Sequence, residues 1–89
     1  MLFMVIEHFD KRGLDPMAER FRLQGRMLPD GVNYIASWME AKGARCYQLM
    51  EAPDRAALDQ WIANWSDLVR FEVTEVLTSA DFWANRPRA

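Results

Sequence analysis

The chain has 89 residues, of which 51% are hydrophobic and 27% are charged. This length leaves room for one core, and the composition is that of a folded protein rather than a disordered one. The 11 basic and 13 acidic residues are mixed along the chain and give a net charge of −2, which argues against nucleic acid as a partner. Because a domain of this size buries only about 60–65% of the surface of its unfolded chain, we expect self-association to extend the core.

The N-terminal stretch and the cysteine and histidine content bear on compartment and cofactors. Residues 1–9 are apolar but fall far short of the roughly 20 residues that cross a membrane, and they lack the positive start of a secretory signal. We therefore expect a cytoplasmic protein with no membrane partner. Cys46 has no second thiol and His8 is the single histidine, so we expect no disulfide, no metal site and no cofactor.

The first third of the chain predicts a strand followed by a helix. Leu2–His8 is an apolar run that turns polar at its end, which is typical of a central strand. Asp15 is the predicted N-cap of the helix and Pro16 its first helical residue. We expect this helix to reach about Met27, because residues 29–31, Pro-Asp-Gly, then stop it.

A hairpin is predicted in the middle of the chain. Residues 32–41 and 44–51 flank Lys42-Gly43, a two-residue loop typical of a tight turn. The resulting register places Trp38 opposite Tyr47 and Tyr34 opposite Glu51. One sheet face then carries Tyr34, Ala36, Trp38, Glu40, Arg45, Tyr47, Leu49 and Glu51, and the other carries Ile35, Ser37, Met39, Cys46, Gln48 and Met50.

The rest of the chain predicts a second helix and a fourth strand. Asp54 is a helix cap, and the stripe Leu58, Trp61, Ile62 and Trp65 has helical spacing. Residues 71–77 alternate with period two, as a half-exposed strand does. We place the domain at residues 1–78 and a C-terminal turn and tail at residues 79–89, with a short helical turn at 79–83.

The order β-α-β-β-α-β predicts an α+β fold of the ferredoxin-like kind. It consists of an antiparallel four-stranded sheet with two helices on one face. The other sheet face has no cover within one chain, and soluble monomers avoid large exposed apolar patches. We therefore expect a sheet-paired homodimer with Tyr34, Trp38 and Tyr47 at the interface.

Several segments carry a resemblance to a known family: residues 1–7 (MLFMVIE), 25–31 (GRMLPDG) with Tyr34, 37–38 (SW), 45–51 (RCYQLME), Trp61, 65–68 (WSDL) and 71–73 (FEV). Over nearly its whole length the chain resembles the domain-of-unknown-function family 3303, which in turn resembles a branch of the dimeric α/β-barrel superfamily. This implies a ferredoxin-like protomer whose sheet closes into a barrel with that of a second copy. The superfamily includes cofactor-independent quinone-forming monooxygenases, haem-degrading enzymes, small isomerases and ligand-sensing domains, so the fold alone does not assign an activity. Its haem-degrading branch uses a histidine on a helix, whereas His8 ends a strand, which disfavours haem chemistry.

The polar residues on the helix side of the predicted hairpin form the candidate ligand site. Ser37 and Gln48 lie opposite one another on an otherwise apolar face, and they either share a structural hydrogen bond or line a pocket. Cys46 beside them is favoured as a buried, inert thiol over a nucleophile. The candidate ligand-binding residues are Ser37, Gln48, Cys46, Trp61, Trp65 and Arg26, and each has a structural alternative: the tryptophans as core and Arg26 as a solvated helix charge.

Three functional hypotheses follow from these residues. The first is a homodimeric small-molecule-binding protein whose cleft between sheet and helices takes an apolar or aromatic ligand. The second is a cofactor-independent monooxygenase or isomerase in which His8 or Glu51 handles protons. The third is a non-catalytic protein-interaction module, for which no pocket larger than a few water molecules is expected.

Overall fold

A computed structural model of the chain describes residues 1–86 and contains four strands and three helices. Part of the predicted tail, residues 87–89, lies outside the described residues. In chain order the elements are β1 (Leu2–Phe9), α1 (Asp15–Gln24), β2 (Asn33–Met39), β3 (Arg45–Glu51), α2 (Arg55–Ala63), β4 (Val69–Val76) and α3 (Ser79–Ala84).

The four strands form one sheet in the order β2-β3-β1-β4, and the three neighbouring pairs are all antiparallel. This confirms a small α+β protein with an antiparallel four-stranded sheet, and the element order roughly fits the ferredoxin-like arrangement. The apolar run of β1 occupies a central position, as its composition predicts.

The two faces of the sheet have different surroundings. On β1 the buried residues Phe3, Val5 and Glu7 alternate with half-buried ones, which is the period-two pattern of a strand covered on one side. We call these two sides the helix-side face and the open face. The core on the helix side contains Phe3, Val5, Val32, Met50, Ala52, Leu58, Trp61 and Trp65.

A register shift in β2 corrects one predicted face. Trp38 pairs with Tyr47 as predicted, but between Ala36 and Tyr34 the register shifts, and Tyr34 pairs with Met50 instead of Glu51. The prediction that Tyr34 lies on the open face is therefore wrong, because one extra residue in a strand reverses the side chains beyond it. No glycine or proline marks this position in the sequence.

Helix α1 ends earlier than predicted and is capped differently. It stops at Gln24, because Gly25 takes φ 67° and Met27 takes φ 57°, both in the left-handed region. Leu14 occupies the N-cap position without a side-chain bond, so Asp15 is the first helical residue rather than the cap. In α2, by contrast, Asp54 caps as predicted, and its side chain accepts a hydrogen bond of 2.8 Å from the Ala57 amide.

The three helices differ in how firmly they pack. Helix α2 buries Leu58 and Trp61, whereas α1 and α3 contain no fully buried residue. Instead, Arg20 of α1 donates two hydrogen bonds, of 2.6 and 2.7 Å, to the carboxylate of Asp67 beyond α2. Helix α1 is thus held by these polar contacts together with Met17, which packs against the core. No helix within residues 1–86 is long and apolar enough to cross a membrane.

Candidate functional site

A cleft of about 370 Å³ lies between the helix-side face of the sheet, α1 and the tryptophans of the α2 region. This volume falls within the usual range for small-molecule sites. Because α1 buries no side chain completely, it leaves this space between itself and the strands. The lining residues are Glu7, Phe9, Leu14, Met17, Ala18, Phe21, Arg26, Ser37, Met39, Cys46, Gln48, Trp61 and Trp65.

The structure brings together the six residues that the sequence singled out for ligand binding. Ser37, Gln48, Cys46, Trp61, Trp65 and Arg26 all line the cleft. They come from four separate parts of the chain: two strands, α2 with the turn after it, and the segment after α1. Their role in binding stays a prediction, but their convergence on one cavity is a feature of the fold.

Trp61 and Trp65 position the segment that follows α1. Their indole N–H groups both donate to the backbone carbonyl of Arg26, at 3.1 and 3.0 Å. Both residues are only 2% exposed, so buried indole donors and a carbonyl satisfy one another. The side-chain amide of Asn64 also donates to the carbonyl of Met27, at 3.0 Å. Three donors from the α2 region therefore fix the backbone that presents Arg26 to the cleft.

The Arg26 side chain stacks between aromatic rings. Its guanidinium carbon lies 3.6 Å from the ring centroid of Tyr34 and 5.2 Å from that of Phe21. Such cation–π contacts hold a guanidinium without neutralising its charge. The Arg26 charge acts on groups in the cleft, since it lowers the pKa values of Glu7 and Cys46. In both cases burial, which raises the pKa, is the larger effect.

The structure shows no hydrogen bond between Ser37 and Gln48, the two polar residues predicted to face one another. The Ser37 hydroxyl lies 2.7 Å from the Tyr34 hydroxyl, in hydrogen-bonding geometry. Although Ser37 pairs with Gln48 across β2 and β3, no hydrogen bond joins their side chains in the described part of the chain. Gln48 is 7% exposed and lines the cleft. The structure therefore does not contain the structural hydrogen bond between Ser37 and Gln48 that was one of the two alternatives.

Glu7 is a functional candidate that the sequence analysis missed. Its side chain faces the cleft, the residue is 2% exposed, and its Oε2 atom has no hydrogen-bond partner. Burial raises the pKa of this carboxyl to about 7, and the Arg26 charge opposes the rise only in part. The alternating pattern of β1 could have identified Glu7 as buried, because this residue shares a face with Phe3 and Val5.

The Cys46 thiol next to Glu7 has a raised pKa, which disfavours a nucleophilic role at neutral pH. Burial raises its pKa to about 11, and the negative charge of Glu7 adds to the rise. A hydrogen bond with Ser37 and the Arg26 charge act in the opposite direction but are weaker. Since the thiolate is the reactive form, Cys46 serves the cleft as a small apolar surface.

The two residues predicted to handle protons lie elsewhere. His8 is on the open face, where its Nε2 atom is 2.7 Å from Oε1 of Glu72 without the alignment of a hydrogen bond. Glu51 is exposed at the end of β3 and accepts a hydrogen bond of 3.2 Å from Asn33. Neither side chain lines the cleft, so the structure does not bring them to the predicted ligand site.

A larger depression of about 1070 Å³ is less suited to enclosing a molecule. It runs around one end of the sheet, and its lining includes His8 and Arg45 of the open face together with Asp59 and Ile62 of α2. Because its walls belong to opposite sides of the sheet, it is a surface groove rather than a cavity. We therefore place the candidate site in the 370 Å³ cleft, which holds the buried carboxyl.

Metal ligands are not clustered in residues 1–86. No group of three or more histidine, cysteine, aspartate or glutamate side chains in this part of the chain is placed to hold a metal ion.

Comparison with known proteins gives a family but no activity. No curated protein matches the chain, and no solved structure matches it. The model of the family described as a domain of unknown function, DUF3303, matches residues 1–88. Because this match covers nearly all of the chain, the protein belongs to the DUF3303 family.

Proposed function

We propose that the protein is a homodimer in which each protomer binds a small apolar or aromatic molecule in the cleft between sheet and helices. The observation that carries this proposal is the carboxyl of Glu7, which belongs to the lining of a cleft of about 370 Å³ and has a buried Oε2 atom without a hydrogen-bond partner. Buried polar groups in native proteins nearly always have a partner, and a polar substituent of a ligand in the cleft would supply one for this carboxyl.

The lining favours an aromatic ligand with few polar substituents. Aromatic rings come from four residues, Phe9, Phe21, Trp61 and Trp65, which offer flat surfaces for stacking. The polar groups at the cleft are the carboxyl of Glu7, the guanidinium of Arg26 and the side chains of Ser37, Cys46 and Gln48. Mostly apolar walls with a few convergent polar groups are the usual composition of a small-molecule site.

The open face of the sheet supports the homodimer. Leu2, Met4 and Ile6 of β1 and Leu49 of β3 are only half-buried there, and Trp38 of β2 is 58% exposed. Soluble proteins rarely leave such a surface in water, and a second copy with the same face buries both. This arrangement is also what the resemblance to the dimeric α/β-barrel superfamily implies.

Binding is tested with anilinonaphthalene sulfonate, an aromatic anion that matches the aromatic walls and the Arg26 charge. We expect its fluorescence to rise on binding and the fluorescence of the cleft tryptophans to fall through energy transfer. A replacement of Ala18 by Phe fills the cleft from α1, where the residue itself is exposed. This variant should bind the dye at least about tenfold more weakly, a loss of about 1.4 kcal/mol.

A matched control separates the cleft from other apolar surfaces. Ala56→Phe adds the same ring at an exposed alanine of α2 that does not line the cleft. We expect this variant to bind the dye like the unmodified protein. Equal binding by all three proteins would show that the dye sits on another surface and would contradict the proposal.

The structure does not place the proton-handling residues of the monooxygenase or isomerase hypothesis at the cleft. His8 and Glu51 do not line the cleft, so a reaction there requires a different acid or base. The structure offers one such group, the carboxyl of Glu7.

A further inference from the structure

We propose that Glu7 is a catalytic base, which removes a proton from carbon in a small planar molecule bound in the cleft while Arg26 stabilises the negative charge that develops. This inference rests on the proposed function, since it requires that the cleft takes a ligand. It adds a reaction class, proton transfer at carbon, and it names the two residues that carry it.

The sheet holds Glu7 in a fixed position. It lies in β1, a central strand hydrogen-bonded on one side to β3 and on the other to β4, so its backbone is fixed. The residue lines the cleft, and its Oε2 atom is buried with no hydrogen-bond partner. A base held rigidly and without competing hydrogen bonds is free to approach a substrate proton.

Two neighbouring strands and the helical layer surround the carboxyl of Glu7. Across the sheet, Glu7 pairs with Cys46 of β3 and Phe71 of β4. From the helical layer the cleft receives Arg26, Trp61 and Trp65. Arg26 and Cys46 are therefore the ionisable groups that share the cleft with Glu7, and the thiol stays protonated at neutral pH.

The protonation state of the Glu7 carboxyl also suits a general base. With a pKa of about 7, the carboxyl is present in both forms near neutral pH. A base with its pKa near the working pH combines availability with strength, which is the condition for efficient general catalysis. Removal from water strengthens a carboxylate base further, because no solvent shell has to be displaced first.

The step is balanced without a further reactant. Ionised Glu7 takes the proton of a C–H bond adjacent to a carbonyl, and the electron pair of that bond forms a C=C bond while the carbonyl π pair moves to oxygen. The guanidinium of Arg26 faces the resulting enolate. When the substrate is a β,γ-unsaturated carbonyl compound, this enolate is a dienolate, and return of the proton from Glu7 to its γ carbon gives the conjugated isomer. The site requires no oxidant, reductant or metal for this reaction.

The test uses nitrobenzisoxazole, a planar aromatic carbon acid of a size that suits the cleft. Removal of its C–H proton forms a nitrile and breaks the N–O bond, which releases a coloured nitrophenolate. We expect turnover above the buffer rate, rising with pH through one ionisation near about 7. Glu7→Gln should lower this rate about 100-fold or more, the usual contribution of a general base.

The matched control is Glu75→Gln. Glu75 lies in β4 opposite Phe3, on the same face of the sheet as Glu7, but it is exposed and outside the cleft. It should leave the rate unchanged. Where Glu7→Gln does not fold, Glu7→Asp replaces it, and withdrawal of the carboxyl by one methylene should lower the rate about tenfold.

Failure of this inference and failure of the proposed function give different results. Binding of the probe, measured as quenching of tryptophan fluorescence that Ala18→Phe abolishes, without turnover dependent on Glu7, would overturn the catalytic role and leave a binding protein. No binding in the cleft would contradict both.

Discussion

Glu7 lies directly opposite Cys46 in the pairing of β1 with β3, and both side chains face the cleft. Burial is the main cause of the raised pKa of each group, about 7 for the carboxyl and about 11 for the thiol. The negative charge of Glu7 adds to the rise at Cys46. The pKa of the thiol therefore depends on the charge of Glu7, and the cleft holds a protonated thiol beside a carboxyl with a pKa of about 7.

Folding stability should fall as the pH rises from about 4.5 to about 7, because of Glu7. Its pKa is higher in the folded state than in the unfolded state, so the folded state binds more protons within this window. The full penalty, about 3 kcal/mol for a shift of this size, is reached above the folded pKa and vanishes below the unfolded one.

Urea unfolding of the unmodified protein and of Glu7→Gln across this pH window isolates the effect. The difference in the free energy of unfolding should change with pH by about 3 kcal/mol and favour the variant increasingly towards high pH. A difference independent of pH would show that the Glu7 carboxyl is ionised normally in the folded protein.

Cys46 should react slowly with iodoacetamide in the folded protein. Its pKa of about 11 leaves little thiolate at neutral pH. Replacement of Glu7 by Gln removes a negative charge that raises this pKa, so the variant should react several-fold faster, as measured by the mass of the modified protein. Equal rates in the two proteins would contradict the coupling, provided that both are equally folded by circular dichroism.

Trp61 and Trp65 should be coupled through the carbonyl of Arg26 that both indoles donate to. Replacement of either by Phe leaves the other donor in place and should cost about 1 kcal/mol for the lost bond, besides any lost packing. Replacement of both residues leaves the carbonyl without either indole donor, and it should cost about 1 kcal/mol more than the sum of the single changes.

Chemical unfolding of the four proteins in this double-mutant cycle measures the coupling. Trp83→Phe is the control, because Trp83 is 67% exposed in α3 and its change should be close to neutral. Additive effects at the two cleft positions would show that the shared carbonyl carries no coupling.

Arg20 should stabilise α1 locally rather than the whole protein. Its two hydrogen bonds to Asp67 are partly exposed, so their loss in Arg20→Gln should change global stability little. Since α1 buries no residue, the same change should speed amide hydrogen exchange in α1 while α2 keeps its protection. Arg22→Gln, which breaks only a pair with Glu19 inside the helix, should not have this effect.

Trp38 should contribute to the proposed dimer. The side chain is 58% exposed on the edge strand β2, so Trp38→Lys is not expected to disturb the fold of one chain. Light scattering after size-exclusion chromatography should show a dimer for the unmodified protein and a shift towards monomer for the variant. Leu23→Lys, at a 63% exposed position of α1, should remain a dimer. A monomeric unmodified protein at micromolar concentration would exclude the sheet-paired homodimer.

The sequence by itself determined the class of fold and much of the sheet. The apolar run of β1, the Lys42-Gly43 turn and the Asp54 cap are local signals, and local signals specify where strands, turns and helices lie. The pairing of Trp38 with Tyr47 followed from the turn alone. Five of the cleft residues were identified because polar and large aromatic residues on buried faces stand out in a periodic pattern, and Arg26 was identified as a helix charge that could hold an anion at the rim.

The tertiary structure decided the rest, because those features depend on contacts between distant segments. The register shift before Ala36 turned Tyr34 towards Ser37 and Arg26, and no local residue type marks it. The pKa of Glu7 depends on what covers β1, which the strand pattern does not contain. The cleft lies between α1 and the sheet, and the distance between these two elements is set only by the packed fold, in which Arg20 of α1 contacts Asp67.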